Sequence, residues 1–506
     1  MASMEDDGPP PLAGGQLVLV TFSLALAVFM NTIDVSIANV SIPTIAGYLA
    51  VSANQGTWII TSFAVSNAIA VPVSGWLAQR VGEVRLFFIC TLGFTLASLL
   101  CGMAPSFYFL LIMRAAQGVF AGPMIPLSQS LLLGNYPVEK RGLANGIWGM
   151  TAVVGPIIGP ILGGWITDDF SWSWIFYINV PVGIFSAFVT LILLRSRETP
   201  TKKLPLDVVG LVLLTIGVGA LQIMLDKGNN HAWFQSHFIV ILAIITVVFL
   251  SFFVAWELTD DDPVVDLRLF ARRNFTIATL AVTLGFMTYF SGVVLLPLWL
   301  QQEQGYTATW AGITTSSLGL LGVIGSPIVG RLTDKIDLRF IVTFGMLLFA
   351  GLSFVKADAT TQISFAQLFL ERVPWGIGLA CFFIPLITLS LVGLPRSKIA
   401  SASGLFNFMR LIALSTGTSL SQTFWDRREA FHDHVLTSHV RAGSPATQQW
   451  LAHAQASGLS RQQAYAALGR VIKNQSFMLG LNDMYFLAGC IFIGLSALIW
   501  FSRPKG

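Results

Sequence analysis

The sequence predicts an all-α membrane protein: fourteen transmembrane helices arranged as two six-helix bundles with two helices inserted between them. Three observations carry this. Of 506 residues, 54% are hydrophobic and only 11% charged, too few charges to cover a surface that faces water. Apolar runs of ~20 residues, the length that a hydrocarbon core of ~30 Å demands of a helix, follow one another from Leu17 almost to the C-terminus. The loop signatures of the first half also return in the second.

The first half reads as six spans: Leu17 to Ile37, Thr57 to Ser74, Leu86 to Met103, Phe107 to Leu127, Leu143 to Trp165 and Trp174 to Leu194. Two inserted spans, Val208 to Leu225 and Phe238 to Trp256, follow a basic linker. The second half supplies Phe275 to Trp299, Ala311 to Val329, Phe340 to Val355, Phe365 to Val392, Ala402 to Phe424 and Met484 to Phe501. The chain thus divides into a tail (1–16), a first bundle (17–200), an inserted pair (201–262) and a second bundle (263–506), which contains a long polar segment (425–482) with an amphipathic stretch near Gln462 to Ile472. The first run follows an acidic, proline-rich tail without a basic n-region or cleavage site, so it reads as a retained span. Cys90, Cys101, Cys381 and Cys490 sit inside apolar runs with no CxxC or His-paired spacing. They read as packing residues, with neither a disulfide framework nor a zinc site.

Charge placement sets the orientation. With the N-terminus in the cytoplasm, the inner loops collect eighteen bases, from Arg80 and Arg85 through Lys202, Lys203, Arg272 and Arg396 to Arg503 and Lys505, while the 425–482 segment, too long to be read by this rule, carries six more. The short outer loops hold only Lys227 and Lys356. Both termini are therefore expected in the cytoplasm, and the 425–482 segment outside.

The repeat is specific. Pro72, Gly75, Leu77 and Arg80 recur in register as Pro327, Gly330, Leu332 and Lys335; Thr57-Trp58 recurs as Thr309-Trp310, and Arg114 with Gly118 as Arg372 with Gly376. Spans one to six therefore correspond to spans nine to fourteen. That is the plan of a rocking two-bundle transporter with its site between the bundles near midplane.

A carboxylate inside the membrane is costly, so Asp34 near the outer end of span one needs a function. It shares a small, polar helix face with Ala27, Asn31, Ala38 and Ser41. Burial favours its protonated form and a nearby cation favours its carboxylate; that competition makes a proton switch. Arg114 enters span four from the outside to a similar depth of ~10 Å, which allows the two to meet. A structural role remains the alternative, with Asp34 capping a helix and Arg114 stapling two. In span thirteen Ser403, Asn407, Arg410, Gly417 and Ser421 form a second polar face toward an expected cavity, although Arg410 also suits an inner salt bridge or snorkelling to headgroups. Span five places Gly155, Gly159 and Gly163, with Gly164 beside them, on a close-packing stripe, while Pro156 and Pro160 remove backbone donors; such a helix packs tightly and bends. The loop from Gly75 through Arg80 and Gly82 to Arg85 joins a sharp turn to cations suited to clamping helix ends in one state.

These residues resemble the fourteen-span drug:proton antiporters of the EmrB/QacA type in the major facilitator superfamily, over nearly the whole chain. Residues 32 to 43 are similar to the family's first-span signature, with Asp34 at its acidic position and Asn39 at its asparagine. Gly75 to Arg85 resembles the gating motif, although Gln79 stands where many members carry an acid. Arg114-Ala-Ala-Gln117-Gly118 resembles the fourth-span proton-coupling motif, and Gly155 to Gly164 the antiporter motif. The resemblance implies the major facilitator fold and a proton-coupled multidrug efflux antiporter, a route to antibiotic resistance, with no cofactor beyond the proton gradient. Asp34 and Arg114 would couple protons, and Asn31, Asn39, Gln117, Asn407 and Arg410 would line the substrate cavity. It also implies a bacterial inner-membrane location and a tripartite pump with a periplasmic membrane-fusion (adaptor) protein and an outer-membrane channel.

Two rivals remain at this stage. A proton symporter or facilitator for a small organic nutrient would share the fold but lack the Gly-Pro pattern of span five. A membrane receptor or enzyme would need a nucleophile with its base, metal ligands or a signalling domain, and none is visible; most histidines, including His432, His434, His439 and His453, lie in the polar segment.

Overall fold

Lipid offers the backbone no hydrogen-bond partners, so each apolar run closes its own ladder and becomes a helix. The computed structural model describes residues 11–503 apart from 203, 204, 206 and 442. The acidic tail, Lys203 and Lys505 lie outside the described residues, as do the side chains of Pro156 and Pro160.

The first half comprises α1 (Gly14–Tyr48), α2 (Trp58–Val81), α3 (Glu83–Gly102), α4 (Phe107–Asn135), α5 (Arg141–Asp169) and α6 (Trp174–Arg197). Then come α7 (Val208–Lys227) and α8 (His237–Thr259). The second half comprises α9 (Arg273–Gln302), α10 (Thr309–Leu332), α11 (Leu338–Ala357), α12 (Phe365–Leu391), α13 (Arg396–His439), a short α14 (Pro445–Ala456) and α15 (Arg461–Leu498). Among the described residues thirteen helices are long and apolar enough to cross a membrane. The glycine-rich α5 is not one of them by composition, yet its 29 residues run the length of a span against α1, making fourteen crossings. Helix starts are set by side-chain caps: Ser106, Thr307 and Asp337 accept backbone N–H bonds, and Ser364 with Gln367 and Ser460 with Gln463 form capping boxes.

Within the first half α1 packs on α5 and α6, and α4 on α2 and α3; in the second, α13 and α15 pack on α9, and α12 on α10 and α11. The halves meet along α2 with α13 and along α5 with α10. Helices α7 and α8 pack on each other, with α7 against α2 and α13. Only Ile239, Thr246, Phe253 and Glu257 of α8 are buried, as suits a helix coated by lipid.

Both described chain ends lie on one face, here the proximal face. Leu12 N–H donates to Asn135 O at the end of α4, and Arg503 N–H donates to Asn274 Oδ1 at the start of α9. The opposite, distal face carries an outcrop that differs from the expected separate amphipathic helix. Helix α13 runs 44 residues, ~66 Å, and continues well past Phe424; the Gln462 to Ile472 stretch is the first part of α15 and is continuous with the last span. Polar and ionic contacts zip the two extensions together: Arg428 and His432 each lie 2.6 Å from Asp483, Lys473 lies 2.5 Å from Glu429, and the Trp425 indole donates to Phe477 O. Of the cysteines, Cys90, Cys101 and Cys381 are buried, whereas Cys490 is exposed on α15, so the packing role expected of all four applies to three.

Candidate functional site

Helices α1 and α4 run in opposite directions, which brings Asp34 and Arg114 to one level near the distal side. Arg114 Nη1 donates to Asp34 Oδ2 at 2.6 Å, and neither side chain is accessible beyond 1%. The second oxygen, Oδ1, accepts from Gln117 Nε2 and from Asn179 Nδ2, each at 3.1 Å. Arg114 Nε donates to Ile59 O at 3.2 Å, and Nη1 also donates to Gln117 Oε1 at 2.7 Å. The guanidinium sits 4.5 Å from the Phe63 ring and 5.5 Å from the Phe176 ring. Beneath Asn179, Ser98 accepts from its amide and donates to Phe176 O. The result is a buried charge cluster drawn from α1, α2, α3, α4 and α6. One buried acid–arginine pair thus ties five helices together.

Gln117, expected along the substrate cavity, belongs to this charge cluster instead. Asn31 is buried beside it and donates to Ala121 O at 2.9 Å, tying α1 to α4. Asn39 lies beyond the cluster on an exposed part of α1. Asn179, Ser98, Phe63 and Phe176 were not singled out from the sequence; for Asn179 the available signal is a single amide in the apolar run that begins at Trp174.

The second polar face lies at the contact between the halves. Arg410 is 9% exposed, and its Nε donates to Asn407 Oδ1 at 3.2 Å. Its guanidinium lies 5.7 Å from the Phe286 ring and 5.6 Å from that of Phe383, and no carboxylate pairs with it among the described residues. Asn407 donates to Ser403 O, Ser403 Oγ donates to Gln129 Oε1 of α4, Gln129 Nε2 donates to Asn145 Oδ1 of α5, and Asn145 Nδ2 donates to Thr388 Oγ1 of α12. A continuous polar chain thus stitches the halves together on the proximal side of Arg410. Gln129, Asn145 and Thr388 carry no distinguishing pattern in the sequence.

The repeated loops flank that seam. A Cβ on Gly75 would stand 2.1 Å from Ser401 Oγ, and one on Gly330 would stand 2.5 Å from Gly142 O, so each copy of the repeat places its glycine at a backbone contact between halves. The backbone N–H of Gly142 donates to Asp334 Oδ1. Gly82 ends α2 at φ 94°, and beside it Glu198 accepts from the N–H groups of Val84 and Arg85. Arg80 is exposed and stacks over Trp76, while exposed Arg85 lies 3.9 Å from Glu198. In α5, Gly155 and Gly159 face Thr32 and Ser36 of α1 too closely for a side chain, and Gly163 faces Ile37 at a tight 3.0 Å. Gly164 does not share that role, since a Cβ there meets nothing within 4 Å. The helix continues through Pro156 and Pro160.

Two parallel copies of a helical half, a buried acid–arginine pair in one of them and a polar seam between them constitute a transporter plan. The model of the family described as Major Facilitator Superfamily matches residues 24–418. The chain belongs to the Major Facilitator Superfamily. It is accordingly a membrane transporter and not an enzyme. Similar curated proteins of this superfamily include the Multidrug export protein EmrB of Haemophilus influenzae, 50% identical over 98% of this chain and 97% of that protein. The Multidrug export protein EmrB of Escherichia coli is 48% identical over the same shares. The Fatty acid resistance protein FarB of Neisseria gonorrhoeae is 45% identical over 98% of each. Among solved structures, the human organic anion transporter MFSD10 (TETRAN) matches with a TM-score of 0.61 at 13% identity, covering 96% of this chain and 100% of that one, a likeness of fold.

Proposed function

We infer that this chain is a proton-coupled multidrug efflux antiporter that exports hydrophobic small molecules. The observation that carries the reading is the buried Asp34–Arg114 pair, held by Gln117 and Asn179 in a transporter half-identical along its length to proteins named for multidrug export. The basic residues gathered on the proximal face support placing it in the cytoplasm, with both termini inside and the chain in a bacterial inner membrane. The closed proximal seam then corresponds to a state shut toward the cytoplasm.

In the cycle that follows, a proton from the outside neutralises Asp34 and loosens its bond to Arg114. Opening the proximal face requires breaking the Gln129–Ser403 and Asn145–Thr388 bonds and parting the glycine contacts at Gly75 and Gly330. The drug enters between the halves near Arg410, Asn407, Phe286 and Phe383, the proton leaves to the cytoplasm, and Asp34 pairs with Arg114 again as the seam closes. Glycines 155, 159 and 163 let α5 slide on α1 as this happens. The distal outcrop of α13, α14 and α15 is where a periplasmic adaptor protein leading to an outer-membrane channel would dock.

The test is drug efflux from cells expressing the wild type or Asp34→Asn, with and without an uncoupler, using a panel of hydrophobic dyes and weak acids. Uncoupler-sensitive efflux that disappears in the inserted mutant supports the reading. Proton-driven accumulation instead of efflux reverses the direction of transport, and normal efflux by Asp34→Asn removes Asp34 from coupling.

A further inference from the structure

The second half contains a copy of the charge cluster in which glycine stands at the position of the acid. The spacing that takes Arg114 to Arg372 also takes Asp34 to Gly292, Gln117 to Trp375 and Asn31 to Tyr289. The structure bears out this register. A Cβ on Gly118 would meet Phe63 O of α2 at 2.4 Å, and a Cβ on Gly376 would meet Leu318 O of α10 at 2.0 Å, so each arginine helix crosses its neighbour in the same way. Arg114 reaches across to Asp34 of α1; Arg372 reaches across to α9, where its Nη2 donates at 3.0 Å to the carbonyl of Gly292, its one hydrogen-bond acceptor among the described residues.

The remaining positions of the copy hold groups that exchange no proton near neutrality. Asn179 of α6 approaches Asp34, and in the same place Tyr485 of α15 stands over Gly292: a Cβ there would lie 3.0 Å from its Cε1 and 3.2 Å from its Oη. The ring of Trp375 lies 5.5 Å from the Arg372 guanidinium, and Tyr289 and Tyr485 pack against Trp375. No carboxylate lies within 4 Å of Arg372 among the described residues. An arginine keeps its charge at any working pH, and a phenol with an ordinary pKa of ~10 releases no proton near neutrality.

The other acids of the spans and their ends have local partners, and one of them, Glu371, is the chain neighbour of Arg372 and within electrostatic reach of Tyr485. Glu371 of α12 lies 2.7 Å from Lys356 with its side chain 31% exposed, Glu83 at the first residue of α3 accepts from Ser130, and Asp207 and Glu257 accept backbone N–H bonds at the ends of α7 and α8. Glu429 pairs with Lys473 in the distal outcrop.

We propose that Asp34 is the one carboxylate that exchanges a coupling proton, that Arg372 with Gly292 is a fixed, non-titrating copy of its site, and that each cycle therefore exchanges one proton. This rests on the antiport reading above. One proton against a permanent monocation is electroneutral, whereas one proton against a neutral drug carries one charge inward. Arg372 acts as a positioning residue that holds α12 to α9 with a constant charge.

The full chain is reconstituted in liposomes with a pH difference of one unit and no membrane potential, and the concentration ratio of ethidium, a permanent monocation, at which net flux stops is determined. One proton per cycle places that null at about a tenfold ratio, since one pH unit is tenfold in proton activity. A null at about a hundredfold means two protons and overturns the proposal while leaving antiport intact. Absence of pH-driven flux at every ratio removes the antiport reading itself, and the proposal with it. Arg372→Gln and Glu371→Gln are expected to keep the tenfold null even where the rate falls. A shifted null in either variant assigns a proton to the second half and overturns the inference.

Discussion

Arg114 Nη1 stands 2.6 Å from Asp34 Oδ2 with both side chains sealed from solvent, and each partner is held by further groups that leave it little freedom to move alone. Removing one member of such a pair strands a buried charge and costs ~3–5 kcal/mol, more than removing both. Arg114→Ala is therefore expected to lower thermal stability in detergent sharply, and Asp34→Asn with Arg114→Gln to lower it less than Arg114→Ala alone. Arg114→Lys keeps the charge but loses the fork that serves Asp34, Gln117 and Ile59 O, so proton-driven efflux should fall by at least about tenfold. An Arg114→Lys protein with wild-type efflux would reduce the role of Arg114 to charge alone.

Glycines in the α5 stripe differ in what they face. A Cβ on Gly159 would stand 2.4 Å from Ser36 Cβ of α1, whereas one on Gly164 meets nothing within 4 Å. Gly159→Leu should abolish efflux or insertion, and Gly164→Ala should leave both near wild type, as read by membrane yield and dye export. Equal damage from the two would mean that the α1–α5 contact is not what the stripe serves.

Arg410 offers a charge without a carboxylate partner between two phenylalanine rings. A charged hydrogen bond is worth ~1.5–3 kcal/mol, so Arg410→Gln is expected to weaken handling of anionic compounds by about tenfold or more while sparing cationic dyes. Competition assays with matched anionic and cationic compounds measure this. An equal loss for both classes would make Arg410 a structural residue of the seam.

Asp337 begins α11 outside the spanning segment, where its carboxylate accepts from the Arg339 N–H and lies 2.7 Å from Arg339 Nη2. The Arg339 hydrogen bond holds its pKa below the usual carboxylate value, against the opposing effect of burial. The folded state thus binds this proton less tightly than the unfolded chain. The stabilisation is present above the ordinary carboxylate range and is lost as pH falls through the lowered value. Asp337→Ala should cost about 1 kcal/mol of local stability at neutral pH, mostly through the lost cap, and flatten the acid side of the melting profile, the partly buried surface pair itself adding little. An unchanged acid limb would assign that slope to other carboxylates.

Much of the site was legible because its signals are local. A lone acid in an apolar run, an arginine at the matching depth and a glycine stripe can each be read from a few residues, and the structure joins Asp34 to Arg114 across α1 and α4. Asn179 escaped notice because nothing near it in the chain distinguishes a structural amide from a partner of Asp34. Glu198, at the helix start of Val84 and Arg85, escaped notice as well, being distant from them in sequence.

By itself the sequence determined the solvent, the fourteen crossings, the distribution of charge between the two faces and the duplication, because hydrocarbon thickness and backbone hydrogen bonding act on each segment independently. Only the tertiary structure decided which face each helix turns to its neighbours. It made Gln117 a ligand of Asp34, linked Gln129 to Ser403 across the seam and set Tyr485 over Gly292 where the first half holds an acid. Those outcomes depend on side-chain packing between remote segments, where a few tenths of an ångström select one neighbour over another and no short-range pattern records the choice.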